Sequence, residues 1–558
     1  MTIDAKATSR IDDIGLFLAL FPCVNFILVS LGFIFGIKIG PLSLVLAFVA
    51  SLLFVFLFSG KKSWISFMYL LPVSVFICFA AGFISSRFYD ITYDGQWYHS
   101  EAVLALKNGW NPFKGYYYSS FPHSKEYPIW VNHYPNASGY FKASVFAFTG
   151  FFESVKAVNI LVMISSGILV FGTLNQLSRP SFFVKIWIAF LLAANPIAFG
   201  ELFSNYVDGQ MYSYILIIGC LLIRAIQQPK YLLAALVCTV YLTNLKYTGL
   251  IYISVFMMGF LGYILLHKQI GRFFKYSLFI GIALVFATCL FGYPTYVKNT
   301  IHKGHPLYPL MGKEKKDVAK ILYPADFFGK NRFEKFFLSN FGQPAYTRAP
   351  SCSVQRKPFI EFNLKYVGDY QSMVSETSGF GPANAEIFFT WLLSFPFVIV
   401  LAYRSKFHRA LLFLLGVILL SVFINPDAWL ARYAPQFYLC LPLIAFGLVS
   451  VSKKLYQGTG WLLIVVLTLN IGLIAGLYLP AQIRYTHEIN STFEKLRNIE
   501  NVRVFFSFIV SHRQRLKESK IEFKEADGYL VETFAPFPNM LGATYYSVDS
   551  TETKKGPE

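Results

Sequence analysis

Charge is scarce in this chain. Only 14% of its 558 residues are Asp, Glu, Lys or Arg, against about 25% in an ordinary soluble domain. Hydrophobic residues make up 55%, and the mean hydropathy is +0.50. A soluble protein of this length has no core large enough for so much apolar surface, so lipid must solvate part of it. The signatures of soluble enzymes are missing too: there is no glycine-rich nucleotide loop, no Gly-x-Ser-x-Gly elbow and no His-Glu-x-x-His helix. Six of the seven cysteines (Cys23, Cys78, Cys220, Cys238, Cys289 and Cys440) lie in or at the edge of apolar runs, and only Cys352 stands clear of them. Neither an intrachain disulfide nor a zinc framework is therefore expected. Met1–Asp13 is polar and the first apolar run is long enough to span and remain, so no cleavable leader is expected. The net charge is +19, but the basic residues form short clusters between apolar runs and no stripe on a soluble module, which argues against a nucleic-acid partner.

What is present is a series of long apolar runs. A helix needs about 20 largely apolar residues to cross the hydrocarbon layer, because its backbone must satisfy its own hydrogen bonds there. Thirteen candidates are visible: 14–36, 41–59, 65–85, 157–175, 183–200, 211–227, 230–246, 248–267, 276–293, 386–403, 409–424, 435–452 and 460–480. The expected fold is an all-α polytopic membrane protein of about thirteen transmembrane helices. It divides into a transmembrane domain over 1–480, with large outer loops at 86–156 and 294–385, and an extracytoplasmic α/β tail over 481–558. The piece Ala137–Phe152 is too short to span comfortably and is expected to lie in the outer interface or dip into it.

Charge sidedness tests this count. With a cytoplasmic N-terminus, the six inner loops carry Lys61, Lys62, Arg179, Lys185, Arg224, Lys230, Lys268, Arg272, Lys275, Arg404, Lys406, Arg409, Lys453 and Lys454, and not one acid. Apart from Asp4, Asp12 and Asp13, every acidic residue falls outside. The positive-inside rule needs only the Lys/Arg bias, and one missed helix would invert half the pattern. The expected place is a cytoplasmic membrane, with the N-terminus inside and the C-terminus outside.

The outer boundary holds an internal echo. Tyr93-Asp94-Gly95-Gln96-Trp97-Tyr98 follows the third run, and Val207-Asp208-Gly209-Gln210-Met211-Tyr212 lies between the fifth run and the sixth. Two carboxylates brought together there can bind a metal or share acid–base work; the plainer alternative is that each Asp-Gly makes a turn. Lys246, in a tight turn between two runs, is either functional or snorkels to the outer surface. Arg432 either pairs with Asp427 or clamps a phosphate, for which a guanidinium is suited. Lys298 and the segment His302–Pro309 form a third cationic cluster, in which His302 and His305 are a weak metal candidate.

In order and sidedness these motifs resemble a known family. An outer loop opens with an acid, runs through Ala105-Leu106-Lys107-Asn108-Gly109-Trp110-Asn111-Pro112-Phe113 and reaches His133-Tyr134-Pro135. A second acid follows, then Lys246-Tyr247-Thr248-Gly249, then Lys298-Asn299 with Gly304-His305-Pro306-Leu307-Tyr308-Pro309, and lastly Ala431-Arg432-Tyr433. Over about residues 65–480 this is similar to the GT-C superfamily of membrane glycosyltransferases, especially bacterial relatives of protein mannosyltransferases and the lipid A aminoarabinose transferase. The resemblance implies transfer of a sugar from a polyprenyl phosphate to a glycan, lipid or protein acceptor on the outer face, in cell-surface glycan or lipopolysaccharide modification. Asp94 would be the general base, and Asp208 would orient substrate or a divalent metal (Mg or Mn). Tyr98, His133, Tyr134 and Asn205 would line the substrate, while Lys246, Lys298 and Arg432 would hold the lipid phosphate. Asp94 is followed by Gly95 where those relatives often carry a second acid, so the metal stays open. A surface-polysaccharide polymerase or ligase, and a lipid or sugar flippase, are the alternatives.

The topology predicts that cysteines introduced at Ser124 and Glu525 react with a membrane-impermeant thiol reagent in intact spheroplasts and that one at Lys453 does not. Labelling at Lys453 without lysis would overturn it.

Overall fold

The structure, a computed structural model, describes residues 10–60, 64–118, 127–177, 180–343, 353–354, 377–499, 501–507, 509, 511–526, 535–540 and 544–548. Ser124 and Cys352 lie outside these. Each of the thirteen apolar runs falls on helix. Among the described residues nine helices are long and apolar enough to cross a membrane: Arg10–Ile34, Pro41–Ser59, Phe67–Ser86, Phe152–Asn175, Tyr247–Leu266, Ile270–Phe291, Asn384–Arg404, Lys406–Phe423 and Lys454–Arg497. Phe182–Ala193, Lys230–Thr243 and Pro435–Val449 are apolar but shorter. The first of these stops because Asn195-Pro196 ends it. The Asn195 side chain accepts from the Ile197 amide at 2.7 Å and Pro196 opens a new helix, Pro196–Gly200, as a capping side chain and an N1 proline do. The helix Asp208–Ala225 buries every residue except Gly219 and Ile223, so protein sheathes it.

Arg10–Ile34 is the hub, buried along most of its length against Pro41–Ser59 and Ala157–Asn175. Pro41–Ser59, Trp64–Ser86 and Ile270–Val285 bury few residues and carry the exposed apolar surface. Several helix ends gather at one end of the bundle. Arg224 Nη2 donates to Asp12 Oδ1 at 3.2 Å and to the Leu169 carbonyl at 2.9 Å, Ser59 Oγ donates to Asp13 Oδ1 at 2.6 Å, and Lys230 reaches the Phe58 carbonyl at 3.1 Å. Gly172 makes room for this ion pair, since a Cβ there would run into Asp12 and Arg224.

The segment Ala137–Thr149 is enclosed by protein: Ala137–Phe146 are all buried. Its packing partners include Pro41–Ser59 and Ser100–Lys107, and the Ala137 amide donates to the Asn244 carbonyl at 2.8 Å. The helix thus sits in a socket made of protein.

The boundary expected at residue 480 falls inside one unbroken helix of 44 residues, Lys454–Arg497. At 1.5 Å per residue it is about 66 Å long, twice the hydrocarbon thickness of about 30 Å, so its second half projects from the bundle. Ile489, Phe493 and Leu496 on that half form a core with Val502, Val504, Phe506, Leu516, Ile521, Phe537 and Met540. The strands are β1 (Val502–Phe506), β2 (Phe523–Glu525), β3 (Ala535–Pro536) and β4 (Thr544–Val548), in the order β2-β1-β4-β3. β1 runs parallel to β2, joined through the helix Ser511–Glu518, and antiparallel to β4. The small α/β expectation for the tail is met on these residues.

Within this unit His512 is buried. Its Nε2 lies 2.7 Å from Gln96 Oε1 and its Nδ1 lies 2.6 Å from Thr544 Oγ1. Those partners suit a neutral ring, donating through Nε2 and accepting at Nδ1. Burial, with Arg515 beside it, holds the imidazole well below its ordinary 6.5. The unfolded chain takes up this proton near 6.5 and the folded chain does not. His512 therefore contributes stability that is complete above pH 6.5 and is lost as the pH falls from there toward the folded value. The slope is at most about 1.4 kcal/mol per pH unit. Limited proteolysis of the tail at falling pH should show earlier release in the parent chain than in His512→Gln. The neighbouring carboxyls Asp90, Glu153 and Glu518 titrate in both chains, so the difference isolates His512; identical curves would contradict the assignment.

Candidate functional site

Both Asp-Gly-Gln tripeptides sit where a helix begins. Asp94 precedes a π-helical turn, Gly95–His99, and Asp208 opens Asp208–Ala225, where a carboxylate meets the positive end of the helix dipole. The glycines serve close approach here. A Cβ on Gly95 would strike Thr92 and Asp90, and one on Gly209 would lie 2.7 Å from Ala198 Cα. The plain turn reading of the echo therefore misses what glycine does in it.

Each carboxylate has its own cation. Arg432 Nη1 donates to Asp94 Oδ2 at 3.4 Å, and the two side chains stay 26% and 27% exposed. Lys246 donates to Asp208 Oδ1, and this pair is 10% and 4% exposed. The ring of Tyr433 joins the pairs, with Lys246 Nζ 4.9 Å and Arg432 Cζ 5.3 Å from its centroid. Arg432 also lies 5.5 Å over Tyr206, whose hydroxyl accepts from the Asp94 amide at 3.4 Å. The alternative partner of Arg432 is engaged elsewhere: Asp427 accepts from Tyr323 at 2.6 Å and from Trp429 at 3.3 Å. Lys246 does not snorkel; it is 8% exposed.

The turn that carries Lys246 is fixed from several sides. Asn244 Nδ2 donates to the Ala287 carbonyl at 2.8 Å and to that of Val240 at 3.0 Å, while its own carbonyl receives Ala137. Tyr98 and Tyr134 complete the wall, with ring centroids 6.3 Å apart. Burial pushes both phenols up, and both Asp94 and Asp208 act on each of them. Tyr433 is pushed up to about 12 by burial, with Arg432 opposing and the same two carboxylates reinforcing. Asp94 and Asp208 thus share one set of aromatic neighbours. Glu201 belongs to the same group. Its Oε2 accepts from the Gly209 amide at 2.7 Å, and burial, with the nearby Asp208, raises its carboxyl well above the ordinary range.

The other expected residues stand apart. Asn205 is a brace: its amide donates to Asp90 Oδ2 at 2.7 Å, its Nδ2 donates to Ser100 Oγ at 3.1 Å, and its carbonyl receives Lys142 at 2.8 Å. Lys298 donates to the Pro112 carbonyl at 3.0 Å and lies 4.3 Å over Tyr116, so its charge serves the Asn111-Pro112-Phe113 bend and not the carboxylates. His133 Nδ1 is 2.6 Å from Asn299 Oδ1, and its carbonyl is 2.5 Å from the Tyr247 hydroxyl. It lines a different cavity of about 600 Å³ with Tyr116, Tyr308 and Lys303. His305 Nδ1 accepts from the Leu307 amide at 3.1 Å.

The donor set does not fit a divalent ion shared by Asp94 and Asp208, because each faces a protein cation. Among the described residues no group of three or more His, Cys, Asp or Glu side chains is placed to hold a metal ion. Sequence reasoning missed Tyr206, Tyr433 and Glu201. The first two flank named charges in the chain, next but one before Asp208 and directly after Arg432, which was the available signal; Glu201 had none. No protein-family model matches the chain, and comparison with curated proteins finds no match.

The two ion pairs should differ in cost. Lys246→Met leaves Asp208 buried and uncompensated and should cost about 3–5 kcal/mol, while Arg432→Gln at the half-open pair should cost less than about 1 kcal/mol. Reversible unfolding in mixed micelles measures both, and adding Asp208→Asn to Lys246→Met should recover most of the loss. Equal losses for the two single variants would contradict the assignment.

Proposed function

We propose that the Asp94–Arg432 and Asp208–Lys246 cluster is the transfer site of a polyprenyl-phosphate-sugar-dependent glycosyltransferase, acting at the outer face of a cytoplasmic membrane and of GT-C type. The observation that carries this reading is the half-open Asp94–Arg432 pair. A base and a phosphate-binding guanidinium stand in contact, both reachable, beside a buried pair that cannot rearrange cheaply. The separation of the polar contacts into two groups supports the sidedness. Asp12, Asp13, Ser59, Arg224 and Lys230, all expected inside, meet at one end. Asp94, Asp208, Lys246 and Arg432, all expected outside, meet elsewhere.

The chemistry follows from these groups. An acceptor hydroxyl gives its proton to the Asp94 carboxylate as its oxygen forms the new bond to the anomeric carbon. The bond from that carbon to the phosphate oxygen breaks, and polyprenyl phosphate departs with the electron pair. Arg432, released from Asp94 as the carboxylate gains its proton, meets the growing charge on the phosphate, which is where fixed positive charge lowers a barrier most. Lys246 adds a second positive charge across Tyr433, and Asp208 keeps it there. Tyr98, Tyr134 and Tyr206 offer ring faces and hydroxyls to a sugar.

Asp94→Asn keeps shape but cannot accept the proton. General-base catalysis is typically worth about 10²–10⁴-fold, so transfer should fall by that order while donor affinity holds. Arg432→Ala should weaken donor binding together with turnover. Transfer rate measured beside donor affinity for both variants is the test. Near-normal turnover in Asp94→Asn moves the base elsewhere, and normal transfer in both variants sinks the reading.

A further inference from the structure

The residues leading into Asp94 are shared between two bodies. Tyr89 and Ile91 pack into the core of the C-terminal α/β unit, and the Tyr89 hydroxyl donates to Asn490 Oδ1 at 3.1 Å. Asp90, between them, turns the other way and accepts from Thr92 and from the Asn205 amide of the bundle. This is the alternation of an extended strand, with one face on the tail and the other on the helices.

Two residues beyond Asp94, Gln96 enters the tail. Its Oε1 receives Arg515 Nη1 at 3.0 Å and lies 2.7 Å from His512 Nε2, and its carbonyl receives Ser511 Oγ at 2.8 Å. Arg515 is 2% exposed, and its other donors are spent on the same loop: Nε on Glu153 Oε1 at 2.7 Å and Nη2 on the Asp90 carbonyl at 2.7 Å. Glu153 is bound in turn by Lys156, which also donates to the Phe88 carbonyl at 2.8 Å. Glu518, one turn from Arg515, accepts from the Phe152 amide at 3.0 Å. A buried guanidinium tied to both ends of one loop holds it in a single arrangement, because any release leaves charges uncompensated.

We propose that the C-terminal α/β unit is a positioning element for Asp94, in which Arg515 and His512 clamp Gln96 and so fix where the Asp94 carboxylate meets Arg432. The catalytic meaning of the clamp rests on Asp94 being the base of the proposed transfer; its geometry does not. Gln96 is thereby given a role different from that of Gln210 in the second tripeptide, which donates to Asn159 Oδ1 at 2.7 Å and stays within the bundle.

The test is a titration that needs no substrate. In a chain with its native cysteines replaced, Asp94→Cys puts a single thiol beside Arg432, and its alkylation by neutral iodoacetamide is followed against pH. An adjacent cation lowers a thiol below its ordinary value of about 8.5, and Arg432→Gln should undo that. Gln96→Leu and Arg515→Met should undo it equally, slowing alkylation at neutral pH by about tenfold, as expected when a charge partner moves away. Gln96→Asn, which keeps a neutral amide acceptor on a shorter side chain and adds no charge, should move the profile less than Gln96→Leu does. Circular dichroism and size-exclusion profiles identify chains that fail to fold, and Gln96→Leu serves where Arg515→Met does so. An alkylation profile that Gln96→Leu leaves unchanged, or one that Arg432→Gln does not move, overturns the clamp. In the chain that keeps Asp94, lost transfer in Gln96→Leu beside an unchanged alkylation profile overturns the clamp and leaves the base assignment standing. A shifted profile in a protein that transfers nothing upholds the clamp and sinks only the transfer reading.

Discussion

A carboxylate at the edge of an apolar bundle cannot stand alone, and the pairing of Asp208 with Lys246 is the constraint on which the rest of this site depends. Both side chains are almost fully enclosed, so separating them strands two charges, at a cost of several kcal/mol. The pair therefore fixes the turn between Lys230–Thr243 and Tyr247–Leu266 against the start of Asp208–Ala225. With Lys246 held, Tyr433 has a cation on its ring, and the same ring takes Arg432. Arg432 in turn reaches Asp94. Order passes from a closed ion pair to a half-open one, which is the sequence a reactive site needs: rigid support behind, accessible groups in front.

The second constraint comes from outside the bundle. The long helix Lys454–Arg497 runs on past residue 480 and supplies three residues to the core of the tail, and the loop leading to Asp94 is pinned between that tail and the helices. The tail cannot move without moving Tyr89, Ile91 and Gln96. This couples Gln96 to residues 415 or more positions away in sequence.

How much of this was legible follows from range. Hydrophobic runs are local, so the helices could be read. The Asp-Gly-Gln echo is local too and was read as two carboxylates at one boundary; both tripeptides sit at helix starts, and their glycines make room for Asp90 and Ala198 where turns were the plainer expectation. What could not be read is pairing. Asp94 and Arg432 are 338 residues apart, and nearby Asp427 was the natural guess until Tyr323 and Trp429 proved to hold it. Lys298 was expected at the lipid phosphate and His133 at the substrate, yet Lys298 Nζ donates to the Pro112 carbonyl and His133 Nδ1 lies against Asn299 Oδ1. The boundary was expected at residue 480, yet the helix runs through Pro480 to Arg497. Arg515 and His512 carry no motif, because a clamp is defined by what it touches.

The central claim is that this cluster breaks the bond between a sugar and a lipid phosphate, and does not carry an intact lipid across the bilayer. The most direct measurement uses proteoliposomes of the purified protein with a panel of radiolabelled polyprenyl-phosphate sugars and a crude envelope acceptor, following both the label and the lipid. The account predicts that for one donor the sugar leaves and free polyprenyl phosphate appears in equal amount. If every donor stays intact while one of them equilibrates between the leaflets, the protein is a transporter and the account is wrong.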